Sequence, residues 1–125
     1  MFIYRVEHKI TKDGPYNGKH EVPLFAIDHN DDDIHLSPKE EIGRDIKRTE
    51  RCGFRIKQDY KKWFDWEERE ALQARNFHLV KYKVPRKHVT IGILQLIFKN
   101  SKGIRVKSFD CVKTHLTIKD YLGII

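Results

Sequence analysis

The stretch FHLVKYKVPRKHVTIGILQLIFKNSKGIRVKSF, Phe77 to Phe109, decides the fold, and it carries eight Lys and Arg with no Asp or Glu. Val80, Tyr82 and Val84 alternate with Lys81 and Lys83; Leu94, Leu96 and Phe98 alternate with Gln95, Ile97 and Lys99; Ile104 and Val106 alternate with Arg105 and Lys107. A period of two sends successive side chains to opposite faces of a strand. The stretch therefore reads as three antiparallel strands with one apolar and one basic face, the last two joined by a hairpin turn at "KNSKG".

Just upstream the period changes. In "KQDYKKWFDWEEREALQARN" Tyr60, Trp63, Phe64, Ala71 and Leu72 recur at three and four, so a single helix lays an aromatic stripe on the core while Lys61, Lys62, Glu68 and Arg69 stay wet. Trp66 falls off that stripe, and Asn76 ends the helix. Further upstream, Ser37, Pro38 and Glu40 form a capping-box signature that starts a helix from about Pro38 to Thr49, weakened at Gly43 by roughly 1 kcal/mol relative to alanine. "RCGF" makes a break or a short strand. "FIYRVEH" opens the chain as a strand with Phe2, Tyr4 and Val6 on one face and Ile3, Arg5 and Glu7 on the other. "TKDGPYNGKHEVP" is a turn-rich loop, and the closing "THLTIKDYLGII" reads as a partly buried end. The expected fold class is α+β: residues 1–125 as one domain, a twisted antiparallel sheet crossed by one or two helices.

Composition narrows the function classes. The net charge of +7 hides an asymmetry, since residues 1–50 carry eight Lys and Arg against eleven acids and residues 51–125 carry seventeen against seven. A positive face of this kind attracts polyanions: nucleic acid, nucleotides or an acidic host protein. Lys81, Lys83, Lys99, Arg105 and Lys107 are its expected anion contacts, forming a continuous stripe. Single-strand readers also need exposed aromatics among the cations, and Tyr82 and Phe98 alternate away from the lysines, so weak sequence preference is expected. No apolar run is long enough to span a bilayer, and the opening segment lacks a basic leader, so no membrane partner and a cytoplasmic address are expected. Cys52 and Cys111 have no CxxC spacing and read as two reduced thiols. "HNDDDIH" sets His29 and His35 around three aspartates, a ligand set whose spacing matches no closed site; the expectation is a solvated acidic loop and no metal. P-loop, GxGxxG, GxSxG and HExxH signatures are absent.

The order "YR" strand, "RCGFRIKQDYKKWF" and "YKVPRKHVTIGILQLIF" resembles small proteins of the ADP-ribosyltransferase fold. That resemblance implies NAD as cofactor, with Arg5 and the neighbouring Tyr4 gripping a phosphate or ring, the stretch around Phe54 and Arg55 as the second element, and Gln95 in the catalytic position facing the ribose. Two departures stand in the residues: no Ser or Thr occupies the second position, and Gln95 replaces a glutamate. The chain is also similar to small phage and bacterial proteins that begin "YRV" and carry "GPY". Two functions follow as expectations. One is a phage or mobile-element accessory protein that binds NAD or another nucleotide with weak or no turnover. The other is a non-enzymatic basic module acting on nucleic acid or inhibiting a host defence complex.

Overall fold

The structure, a computed structural model, describes residues 1–16, 23, 25, 29 and 35–112. It is an α+β domain with two three-stranded antiparallel sheets. Strands β1 (Phe2–His8), β3 (Phe77–Lys83) and β6 (Ile104–Asp110) form the first sheet in the order β1-β3-β6. Strands β2 (Glu50–Gly53), β5 (Leu96–Lys99) and β4 (Val89–Ile91) form the second in the order β2-β5-β4. The sheets touch edge to edge at one bridge, where Tyr4 and Phe54 exchange backbone hydrogen bonds of 2.8 and 2.6 Å. Gly53 makes this approach possible: a Cβ there would stand 2.6 Å from Ile3 Cγ2 and 2.9 Å from the Tyr4 carbonyl oxygen.

Among the described residues, two helices begin at side-chain caps and a third begins without one. α1 (Pro38–Ile42) begins with the expected capping box of Ser37 and Glu40, and stops after one turn because Gly43 takes a left-handed φ of 83° and donates back to the Lys39 carbonyl. The residue expected to weaken a longer helix instead ends it. The single helix expected after Lys57 is two, α2 (Lys57–Trp63) and α3 (Trp66–Ala74). Asp65 caps α3, with Glu68 reaching back to the Asp65 N–H, so a second capping box interrupts the hydrophobic stripe. Tyr60, Trp63, Phe64 and Leu72 are buried as the stripe requires, and Trp66 is exposed. Asn76, at φ 69°, turns the chain into β3.

The first sheet is packed on both faces. Val6, Phe77 and Leu79 join Tyr60, Trp63, Phe64 and Leu72 in one core cluster. Ile3, Val80 and Tyr82, on the opposite face, join Leu96 and Phe98 of the second sheet in another. The sequence stretch from Phe77 to Phe109 thus holds four strands, and "KNSKG" is no hairpin turn: β5 and β6 lie in different sheets, joined by a short 3-10 turn at Asn100–Lys102. A β-bulge in β6 changes the faces further. Lys81 pairs with Lys107 but Tyr82 with Arg105, so Val106 has no partner and Arg105 and Lys107 face opposite ways. Ile104 and Val106, expected on the apolar face, are exposed on this edge strand. Among the described residues no helix is long and apolar enough to cross a membrane. The closing segment from Lys113 lies outside the described residues.

Candidate functional site: the cleft between the sheets

Past the Tyr4–Phe54 bridge the two sheets diverge, and a cleft of about 660 Å³ opens between the free edge of β1 and β2. The guanidinium of Arg5 spans the gap where the backbone ladder stops. Its Nη1 donates to the Cys52 carbonyl at 2.8 Å and its Nε to Glu7 Oε2 at 3.1 Å. Glu7, 3% exposed, also accepts from the Tyr82 hydroxyl at 2.5 Å and from Arg105. Two arginines and a phenol therefore satisfy a buried carboxylate, which fixes Arg5 in place. Burial, ahead of the bond to Glu7, pushes the Tyr82 phenol up, so it remains a donor. The Arg5 side chain is buried with two of its N–H groups engaged; its Nη2 lies 3.3 Å from where a Cβ on Gly14 would be, a close approach of the loop to the guanidinium.

Gln95 enters the cleft from the opposite side, just ahead of β5. Its amide nitrogen donates to the Leu36 carbonyl at 2.9 Å and to Glu41 Oε2 at 2.7 Å. Glu41 Oε1 accepts from the backbone N–H groups of Ile93, Leu94 and Gln95, so one carboxylate of α1 organises the whole approach to β5. Both amide protons of Gln95 are thereby committed, and its carbonyl oxygen accepts from no donor among the described residues.

The remaining walls are aromatic and polar. Tyr16, Phe54, Trp63 and Phe64 line the cleft with Arg48 and Arg51. Trp63 Nε1 donates to the Tyr16 oxygen at 2.6 Å, and the Tyr16 hydroxyl meets His29 Nδ1 at 2.5 Å. With the Tyr16 proton directed to Nδ1, the Nε2–H of His29 donates to Glu68, the same residue that caps α3. Burial raises the Tyr16 phenol, so the chain runs through a neutral hydroxyl. His35 stacks on His29 with ring centres 3.7 Å apart and bonds the Trp63 carbonyl at 2.5 Å. His29, His35 and Glu68 each bring one potential ligand atom within 4.8 Å of the others, a set whose chemistry suits a transition metal. His29 is buried rather than solvated, unlike the acidic loop expected around it; the three aspartates lie outside the described residues. Glu50, also on the wall, is held at about 2 by its hydrogen bonds to Arg44, which make a bidentate pair at 2.9 Å each. Cys52 is half-buried and Cys111 buried, both free thiols; burial pushes Cys111 up to about 12, where it is inert.

The residues singled out in the sequence are sorted by this geometry. Arg5 and Gln95 share the cleft with Gly53 and Phe54, whereas Tyr4 and Arg55 do not line it. Tyr4 is half-buried on the far face of β1, and Arg55 is exposed. The five cations form no continuous stripe. Lys81, Lys83 and Lys107 share one face; the β6 bulge turns Arg105 to the other, onto Glu7 and Tyr82; Lys99 belongs to the second sheet, opposite Glu50. Arg48, Arg51, Tyr16 and Glu41 were missed, and His29 was read only as part of a solvated loop. A cue existed for the first two, the "RTER" run directly before "CGF", but nothing in periodicity tells which side of β2 opens to solvent.

The model of the bacteriophage T4 Y00F protein family matches residues 1–112. The chain is also 44% identical, over 48 residues, to an uncharacterised 19.7 kDa protein of the motB-dexA intergenic region of Enterobacteria phage T4. That match covers 38% of this chain and 29% of the phage protein. No solved structure matches. With its family model spanning both sheets and the cleft between them, the chain belongs to the bacteriophage T4 Y00F protein family.

Proposed function

We propose that the protein is a phage accessory factor that binds a nucleotide, with NAD as the first candidate, in the cleft between its sheets, and turns it over poorly or not at all. The observation that carries this reading is that Arg5, the end of β2 and Gln95, three separate stretches of chain, line one concave site. Its volume of about 660 Å³ suits a cofactor-sized ligand. Arg5, Arg48 and Arg51 would meet phosphates, Tyr16 would flank a ring, and the Gln95 carbonyl would accept from a ribose hydroxyl. Of the residues the ADP-ribosyltransferase resemblance implies, Arg5, Phe54 and Gln95 line the cleft while Tyr4 and Arg55 do not, and the carboxylate of that family is missing. Cleaving the nicotinamide–ribose bond develops oxocarbenium charge, which an amide can grip but not offset; the deficit is about 3 to 4 kcal/mol of barrier, or two to three decades in rate.

Calorimetric titration with NAD tests binding, and nicotinamide release tests turnover. Gln95→Glu alone would set two carboxylates against each other, because Glu41 Oε2 is 2.7 Å from the Gln95 nitrogen. The exchange Glu41→Gln with Gln95→Glu restores the bond between the two side chains and moves the charge to position 95, at the loss of the bond to the Leu36 carbonyl. Binding by the wild type with nicotinamide release only from the exchanged variant is the expected result. Absence of NAD binding to the folded wild type overturns the reading.

A further inference from the structure

We propose that the exposed part of the helix-bearing face of the first sheet is a binding platform for single-stranded nucleic acid, with Phe2, Tyr4 and Phe109 as stacking surfaces and Lys57, Lys81 and Lys107 as phosphate contacts. The face is defined by strand register. Val6, Leu79 and Phe109 are aligned across the three strands at the border of the helix-covered core. The next row along the same face is Tyr4, Lys81 and Lys107, and Phe2 and Lys83 pair beyond it. Phe2 is 48% exposed, where a phenylalanine committed to the core would be covered. Lys57 reaches in from the start of α2.

The aromatics and the cations are interleaved here. The Lys57 ammonium stands 3.8 Å from the centre of the Phe109 ring, Lys107 5.0 Å from the same ring, and Lys81 4.2 Å from that of Phe2 and 5.9 Å from that of Tyr4. Tyr4 and Phe109 are 6.5 Å apart. The sequence hides this because the rings come from β1 and the end of β6, not from the strand that carries Lys81. Among the described residues none of the three ammonium groups pairs with a carboxylate. They crowd one another instead: after burial, the charges of Lys107, Lys61 and Lys81 push the Lys57 amine down. A polyanion relieves that repulsion, and of the polyanions only one with unpaired bases also uses the rings.

A base must displace a lysine from each ring face. An exposed cation–π contact is worth a factor of about two to five, whereas stacking a base on an aromatic side chain is worth about five- to a hundred-and-fifty-fold. The displaced ammonium, on its flexible stem, still reaches a phosphate. Stacking therefore wins with single strands, and a duplex, whose bases are already stacked, cannot gain it.

Fluorescence anisotropy with a labelled oligothymidylate of about twelve nucleotides, its oligouridylate counterpart and a duplex of equal length tests the proposal. The expected result is single-strand binding at least about tenfold tighter than duplex binding, with a log-affinity against log-salt slope near -2 for three lysines. Phe2→Ala, at an exposed position, should weaken single-strand binding about five-fold or more without altering the melting temperature. Lys81→Ser with Lys107→Ser should flatten the slope. The two oligonucleotides separate DNA from RNA as the source of the same chemistry. Equal affinity for duplex and single strand, indifference to Phe2→Ala, or no binding at low salt overturns the proposal. Since Phe2, Lys81 and Lys107 lie outside the cleft, failure here leaves the nucleotide reading untouched.

Discussion

At the scale of single residues, Glu7 governs the cleft from behind it. It lies among Arg5, Tyr82 and Arg105, and losing it would leave the buried Arg5 guanidinium without a counter-charge. Glu7→Ala should cost about 3 to 5 kcal/mol, read from urea denaturation, while Tyr82→Phe should cost less because Glu7 keeps both arginines. Sequence alternation did assign Arg5 and Glu7 to one face of β1, but as its wetter face; the pairing of opposite charges two residues apart is what allows that face to be buried. Glu50 gives a pH prediction. Arg44 holds its folded value at about 2 against 4.5 for an ordinary glutamate, so the stabilisation is complete above 4.5 and is lost as pH falls towards 2. The stability gap between wild type and Glu50→Gln should therefore close across that interval, and a gap independent of pH would show that the Arg44 pair does not hold the charge.

At the scale of elements, strand and helix types were legible in the apolar pattern: the buried Tyr60, Trp63, Phe64 and Leu72 and the alternation of Val80 and Tyr82 with Lys81 and Lys83 emerge as read, while Phe77 and Leu79 bury part of the face read as basic. What the period could not carry were the interruptions. Asp65 with Glu68 is a cap signal as clear as Ser37 with Glu40, yet it sits inside a continuous stripe, and hydrophobic periodicity overrode it. Asp65→Ala should cost about 1 kcal/mol and lower helicity by circular dichroism. The bulge at Val106 had no sequence cue, since a β-branched residue suits an unbroken strand, and it is this one extra residue that divides the basic stripe. Gly53 is the tightest element-level constraint. Its hydrogen points at Ile3 and the Tyr4 carbonyl, so Gly53→Ala must push β1 from β2. Loss of protection from hydrogen exchange at the Tyr4 and Phe54 amides, out of proportion to any global destabilisation, is the expected signature.

At the scale of the whole molecule, the split of the sheet creates both surfaces. Where the ladder between β1 and β2 stops, Arg5 and Gln95 face a shared cleft; on the other side of β1, the part of the sheet that α2 does not cover presents rings and lysines. The order of elements pointed to the cleft through Arg5 and Gln95, but its true walls depend on Tyr16, His29 and Arg48, which only the fold brings together. The most direct test is a backbone amide chemical-shift map of the isotope-labelled protein titrated with NAD. Shifts concentrated at Arg5, Gly53, Phe54 and Gln95, with Phe2, Lys81 and Lys107 unmoved, are the expected result. Absence of shifts at saturating NAD, or shifts confined to the lysine face, would contradict the assignment of the cleft as a nucleotide site.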